Sequence, residues 1–374
     1  MLSKMELVRL FLVVALLKEL RLTMVIIEIA TVTNKTNIKP PPIFTANFKL
    51  LYIQTASNIK VTNNSNLIAY SCQICRLYPK KPLVYTACML SYRHAFHAGN
   101  HADILKHSIL ARIVAHLIEK EKPFSYIDTH AGAGIYQLDD EWAQKTGESV
   151  KGICSIIERP DIPDLFLPYI SLCRKYFSVG HRYPGSPEIV RALSREKDSL
   201  TLIELHSTEI ENLRYIMGGD DRIHIHHRDG YSGLTALAPP EPRRGFCLMD
   251  PSYETADDYI KTADTLLAAH AKWPVGTLVL WYPIVERRQG ELLALKDRFF
   301  TSGIPGILVA ELLIKERAAD EESEGFGLLG SGMLIIQPPW RLDTELREML
   351  PWLAGALGQE GKGSWNLKWI SEAP

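Results

Sequence analysis

The chain has 374 residues, of which 46% are hydrophobic and 23% charged, with a formal net charge of -1. That length buries a sizeable core, as one large α/β domain with an insertion or as two smaller domains. The balance excludes wholesale disorder, a membrane bundle and strong overall basicity.

Residues 1 to 88 differ from the rest. They contain no glycine, aspartate, histidine or tryptophan, and carry 11 basic residues against three acidic ones, a net charge of +8. The other 31 basic and 40 acidic residues leave a net -9 on 89 to 374. A folded α/β domain needs glycine at turns and helix ends. Residues 1 to 88 are therefore expected to be a disordered extension, or to lie upstream of the functional start at Met89. The apolar run Leu10 to Leu17 is broken by Lys18, Glu19 and Arg21, which leaves it short of the ~20 apolar residues of a spanning helix. The same charges make a weak signal-peptide context. Cys72 and Cys75 have metal or redox spacing, but no second pair completes a zinc site. Sparse cysteines suit a reducing, cytoplasmic setting.

From Met89 the pattern alternates helix and strand. Ile104, Leu105, Ile109, Ile113, Val114 and Leu117 form a helical stripe over His101 to Lys120. Phe124 to Asp128 reads as a strand, followed by the loop Thr129-His-Ala-Gly-Ala-Gly134. Residues from about 136 to 183 break the rhythm and read as a helical insertion. A helix runs from Pro187 to about Glu196, then strands are expected at Ser199 to Glu204, Arg222 to His226, Phe246 to Met249, Thr277 to Trp281, Gly306 to Leu313 and Met333 to Ile336. Strands alternating with helices predict an α/β fold built on a parallel sheet covered on both faces. Ligands of such sheets bind at the carboxyl ends of the strands, where Asp128, Glu204, Asp229 and Asp250 fall.

The loop after Asp128 has glycines at Gly132 and Gly134, but the third place of a dinucleotide fingerprint is Gln137. A pyrophosphate cradle is disfavoured, and with it a nicotinamide-dependent dehydrogenase. S-adenosylmethionine carries no phosphate and makes no such demand. Glu204 suits its ribose diol, because a carboxylate accepts two hydroxyl hydrogen bonds, and Asp229 suits the adenine amine. The ordinary alternative for each acid is a helix cap. The turn Asp250-Pro-Ser-Tyr253 then suits a substrate adenine. The Asp250 carboxylate and Pro251 carbonyl accept from the exocyclic amine, and Tyr253 stacks on the base. Asp-Pro-Pro-Tyr would be the signature of adenine amino methylation. Ser252 replaces the second proline and is expected to loosen the turn.

Several blocks carry a resemblance. Met89-Leu-Ser-Tyr-Arg-His-Ala-Phe-His-Ala-Gly-Asn-His-Ala-Asp-Ile-Leu-Lys-His107, Asp128-Thr-His-Ala-Gly-Ala-Gly134, Tyr183-Pro-Gly-Ser-Pro187, Leu202-Ile-Glu-Leu-His206, Trp281-Tyr-Pro283 and Pro338-Pro-Trp340 closely resemble the bacterial large-subunit ribosomal RNA methyltransferase J family. The resemblance spans about 89 to 374. It implies a Rossmann-like S-adenosylmethionine-dependent methyltransferase with an inserted helical subdomain, acting on N6 of one adenine in 23S rRNA. Carried over by motif position, His107, His130, Ser186, Glu204, Asp229 and Gly230 contact cofactor, Asp250 is catalytic with Pro251 and Tyr253, and Tyr92, His94 and Lys106 close over the target nucleotide.

The histidines His94, His97, His101, His107 and His130 lack the tidy spacing of a metal site, and RNA or cofactor contact is the preferred reading. No metal, no membrane and a monomer are expected. The acidic balance is awkward for an RNA binder. A local patch from Arg93, Lys106, Arg243 and Arg244 is the expected compensation. A DNA adenine methyltransferase and a cofactor-binding protein without turnover are the alternatives.

Overall fold

A computed structural model describes residues 97–139, 147–316 and 328–371. The expectations for residues 1 to 88, and for Tyr92, Arg93 and His94, lie outside the described residues. The first described helix, His101–Ile118, begins where the Asn100 side chain accepts from the amides of Ala102 and Asp103 at 2.9 and 3.0 Å. This satisfies two of the donors that a helix start leaves open. Its stripe of Ile104, Leu105, Ile109, Ile113 and Val114 is fully buried.

Among the described residues, ten strands follow in chain order: β1 (Ser125–Asp128), β2 (Ile135–Gln137), β3 (Arg182–Pro184), β4 (Ser199–Glu204), β5 (Ile223–His227), β6 (Gly245–Met249), β7 (Thr277–Val285), β8 (Ile307–Leu313), β9 (Leu328–Ile336) and β10 (Ser364–Ser371). Eight form one sheet in the order β10-β8-β9-β7-β6-β1-β4-β5, and β2 with β3 forms a small antiparallel pair. The half from β5 to β7 is parallel. β9 runs antiparallel to both neighbours, and β10 runs antiparallel to β8. The expected parallel sheet is thus mostly parallel, with β9 and β10 reversed. Both β8 and β9 are buried along nearly their whole length. A continuous apolar run of that kind marks a covered strand without recording its direction.

Alternate residues of the central strands feed opposite faces. Tyr126, Phe246, Leu248 and Val279 enter one core, whereas Ile127, Cys247, Met249, Leu278 and Leu280 enter the other. Period-2 alternation with both faces apolar is what a sheet covered by helices requires. Between β2 and β3 lie the short helices Glu148–Lys151 and Ile153–Ile156 and the longer Leu167–Ser178. Their Ile153, Ile156, Tyr169, Ile170 and Cys173 join the first core. Gly152 lies so close to the Ala98-Gly99-Asn100 turn that a Cβ on it would stand 2.0 Å from the Gly99 carbonyl oxygen. The Ile153 amide donates to that same oxygen at 2.8 Å.

Candidate active site

Because β1 pairs with both β4 and β6, and Asp128 lies opposite Leu202 and Leu248, the sheet brings Asp128, Glu204 and Asp250 to one rim. A tight cleft opens there, with room for about 10 Å³ of water, lined by Lys106, His107, His130, Ala131, Tyr136, Gly185, Ser186 and Asp250. Pockets for whole small molecules run to roughly 300–1,000 Å³, so a complete cofactor requires this rim to open further.

The loop after β1 is held from beneath. Asp128 is fully buried and accepts from the Tyr126 hydroxyl at 2.6 Å, the Ser186 hydroxyl at 2.7 Å and the His130 amide at 3.2 Å. Burial outweighs these bonds and lifts its carboxyl to about 6. Asp128 thus fixes the loop and the start of helix Ser186–Leu193. Gly132 has φ +62°, and a Cβ there would meet the Tyr136 hydroxyl at 2.0 Å. Only glycine accommodates both conditions.

Glu204 accepts from the Gly132 amide at 2.7 Å and the His206 amide at 2.6 Å, and burial raises its pKa. A carboxylate has about four acceptor sites, so capacity remains for two hydroxyls. Asp229 caps helix Gly230–Leu237 by accepting from the Ser232 amide at 2.9 Å, and Lys261 stands 3.9 Å from its other oxygen. The helix cap weighed from sequence is therefore realised at Asp229, with one oxygen engaged. A Cβ on Gly230 would meet the Thr129 carbonyl oxygen at 2.2 Å, which fixes the close passage of this helix under the loop. Burial pushes His130 down to about 4, leaving a neutral ring edge-on to Tyr231. His107 is buried, with Nδ1 at 2.6 Å from the Tyr183 hydroxyl. Of the residues assigned to cofactor, His107, His130 and Ser186 line the cleft, the first and last while bonded to protein partners, whereas Glu204, Asp229 and Gly230 lie around the loop after β1 and outside that lining.

Asp250 ends β6 on the other side of the cleft. Its Oδ2 accepts from the Lys106 ammonium at 2.5 Å, and Asp103 Oδ1 lies 2.8 Å from the same nitrogen. Burial alone would pull Lys106 down, but the Asp103 and Asp250 carboxylates hold it above the ordinary lysine value. Lys106, expected to close over a nucleotide, lines the cleft and is buried between these two carboxylates. Pro251 is buried and Ser252 exposed. Tyr253 has φ +50° and is 8% exposed; its hydroxyl donates to the Trp281 carbonyl at 2.9 Å and its ring lies 4.6 Å from that of Tyr259. Its face is thus shared with protein, whereas the sequence suggested stacking on a base. The turn that Ser252 was expected to loosen is pinned on both sides.

The expected basic patch is dispersed. Arg244 precedes β6, at the end of the strand opposite Asp250, and donates to the Lys122 and Leu117 carbonyls. Lys106 is buried and Arg93 lies outside the described residues. Residues missed from sequence include Asp103, Tyr136 and Trp281. The Trp281 indole nitrogen is buried with no hydrogen-bond partner among the described residues, and its ring lies 5.8 Å from the Lys106 ammonium. The signal for Asp103 and Trp281 was present inside the blocks that carried the resemblance, whereas Tyr136 lies just beyond the block that ends at Gly134. Among the described residues, no group of three or more His, Cys, Asp or Glu could hold a metal ion, and no helix is long and apolar enough to cross a membrane.

A parallel half-sheet with two reversed strands toward one edge, a glycine loop after its first strand and acids along its carboxyl rim define a Rossmann-like methyltransferase fold. Comparison with known proteins narrows the class. Residues 121–371 match the family described as RsmJ, "Ribosomal RNA large subunit methyltransferase D, RlmJ". The chain is 42% identical over 284 residues to ribosomal RNA large subunit methyltransferase J of Escherichia coli (strain K12), covering 75% of this chain and 99% of that one. The protein of the same name from Haemophilus influenzae is 38% identical over 286 residues, covering 76% and 99%. The crystal structure of protein LPL1258 from Legionella pneumophila superposes with a TM-score of 0.66 at 32% identity, covering 73% of this chain and 98% of that one. The chain belongs to the ribosomal RNA large subunit methyltransferase J family.

Proposed function

We propose that the chain transfers a methyl group from S-adenosylmethionine to the N6 amine of an adenine in 23S rRNA. The observation that carries this reading is that the glycine loop and Asp250 face one cleft. The donor set fits the cofactor: Glu204 keeps acceptor capacity for a ribose diol, and Asp229 keeps for an amine the oxygen that faces Lys261 at 3.9 Å. When bound, S-adenosylmethionine supplies an electrophilic sulfonium methyl.

The chain's own groups act on the adenine. Its amine is a weak nucleophile, because the nitrogen lone pair is delocalised into the ring. Lys106 occupies Oδ2 of Asp250, and Oδ1 makes no hydrogen bond among the described residues. Oδ1 of Asp250 and the Pro251 carbonyl accept the two amine hydrogens, which favours a tetrahedral nitrogen with an exposed lone pair. The proton lost on methylation leaves along the bond to Asp250. Such positioning supplies much of the rate. His107, His130, Ser186 and Gly230 shape the cofactor side, and Tyr92 and His94 are assigned to the target nucleotide by motif position. A base buried in rRNA structure has to be extruded to reach this cleft. A monomer acting in the cytoplasm without metal belongs to the same proposal.

The test supplies tritiated cofactor with unmodified 23S rRNA, 16S rRNA and duplex DNA. Label in N6-methyladenine of 23S rRNA is expected. Label in DNA alone would move the protein to the other adenine substrate, and cofactor binding without transfer would make it a binding protein. Asp250→Ala is expected to bind cofactor and lose transfer.

A further inference from the structure

The buried carboxylate of Asp103 has no part in the chemistry described above. Asp103 is 1% exposed, on the first turn of helix His101–Ile118. Its Oδ2 accepts from the Gly99 amide at 2.9 Å, its Oδ1 lies 2.8 Å from the Lys106 ammonium, and its own amide donates to Asn100 Oδ1. Burying a charge is costly unless it is paired and hydrogen-bonded, and both requirements are met here. The anchor extends further. The Asn100 amide group donates to Glu148 at 2.8 Å, and His97 Nδ1 lies 3.0 Å from the same carboxylate.

We propose that Asp103 is a positioning residue, which holds the Lys106 ammonium against one oxygen of Asp250 and thereby directs the other oxygen at the target amine. The inference rests on the reading of Asp250 given under Proposed function. An ammonium has three donors and can rotate on a flexible stem. With Asp103 in place, Lys106 is held from both sides, and its charge is shared between two carboxylates. Without Asp103 the whole cation falls to Asp250. The bridge then swings, Asp250 turns with it, and the carboxylate becomes a poorer acceptor.

The test uses the full chain with 23S rRNA. Asp103→Asn is expected to bind S-adenosylmethionine within about threefold of the parent and to leave KM for RNA within about threefold, while kcat falls about 10- to 100-fold, the scale of a small misplacement. The diagnostic is a double-mutant cycle with Lys106→Met. In that background Asp103→Asn should change single-turnover rate by less than about twofold, because the residue through which Asp103 acts is already gone. Asp103→Glu keeps the charge and should recover part of the lost kcat. An undiminished kcat in Asp103→Asn, a loss confined to KM, or an undiminished further loss in the Lys106→Met background would overturn the proposal. Failure of both Asp103 variants to bind cofactor would make it a folding residue and would overturn it equally. Asp250→Ala run alongside separates the two levels. Retained transfer in it removes the underlying reading, whereas abolished transfer there with a normal Asp103→Asn removes Asp103 alone.

Discussion

At the scale of single residues, the turn after β6 decides how much its sequence can vary. Ser252 is exposed, while Pro251 and Tyr253 on either side are buried and the Tyr253 hydroxyl holds the Trp281 carbonyl. The turn is fixed by its neighbours, so a second proline would add little rigidity. Ser252→Pro is expected to change kcat by less than about threefold, since the entropic gain from a compatible proline is only ~0.4–1 kcal/mol. A tenfold rise in steady-state transfer would instead show that serine leaves the turn slack. Gly132 is the opposite case. An alanine there needs φ +62° and places its Cβ 2.0 Å from the Tyr136 hydroxyl. Gly132→Ala should weaken S-adenosylmethionine binding about tenfold or more, from strain of ~1–3 kcal/mol in the loop that must accept it. Titration calorimetry on the variant checks this, and parent-like affinity would remove the loop from the cofactor site.

At the scale of elements, strands buried on both faces were legible because their apolar runs are bounded by turns. Ser199 to Glu204 was located to the residue. Their direction was not legible, and β9 and β10 reverse it. β10 escaped because Ser364–Ser371 is an edge strand with mostly exposed or half-buried side chains, so neither alternation nor a continuous apolar run marks it. In the site, acids at strand ends could be read from the chain, but their partners could not. Asp103 and Lys106 share a helix, yet their common purpose appears only when β6 brings Asp250 beside them. The opposite end of that helix is tied down by charge. Arg112 makes a two-pronged contact with Glu345 of helix Leu342–Leu357, at 2.8 and 2.5 Å, with both side chains about 15% exposed. Removing Arg112 leaves the Glu345 carboxylate with His116 Nε2 at 3.1 Å in place of the guanidinium, and breaking so buried a pair costs about 3 kcal/mol. Arg112→Ala should lower Tm clearly while leaving cofactor affinity intact. An unchanged Tm would show that the pair contributes nothing net.

For the whole molecule, protonation ties stability to the same end of the fold. Burial comes first among the causes that push His101 and His130 each down to about 4. In the unfolded chain an imidazole takes its proton near 6.5. Between about pH 6.5 and 4 the unfolded chain therefore holds more protons at both sites, and stability falls as pH is lowered through that window. Asp128 opposes this. Its folded carboxyl, lifted to about 6, keeps a proton that the unfolded chain has released above 3.8, so it favours the folded state on acidification. Among these three groups one imidazole is thus roughly offset, and the other leaves an acid lability of ~3 kcal/mol across the window. His101 is the cleaner one to remove. Its ring faces Glu148, Asp103, Lys315 and His97, and its Nδ1 is buried without a hydrogen-bond partner among the described residues. The two carboxylates favour its charged form, yet desolvation prevails. His101→Gln cannot take up the proton, so its unfolding free energy in urea should fall less steeply between pH 6.5 and 4, by up to ~1.4 kcal/mol per pH unit. A slope equal to the parent's would show that His101 is protonated alike in the folded and unfolded states. Because His101 follows the Asn100 cap and precedes Asp103, this lability is placed where helix His101–Ile118 holds Lys106 to Asp250. Acid should therefore lower transfer activity in the parent before it unfolds the chain, and should do so less in His101→Gln.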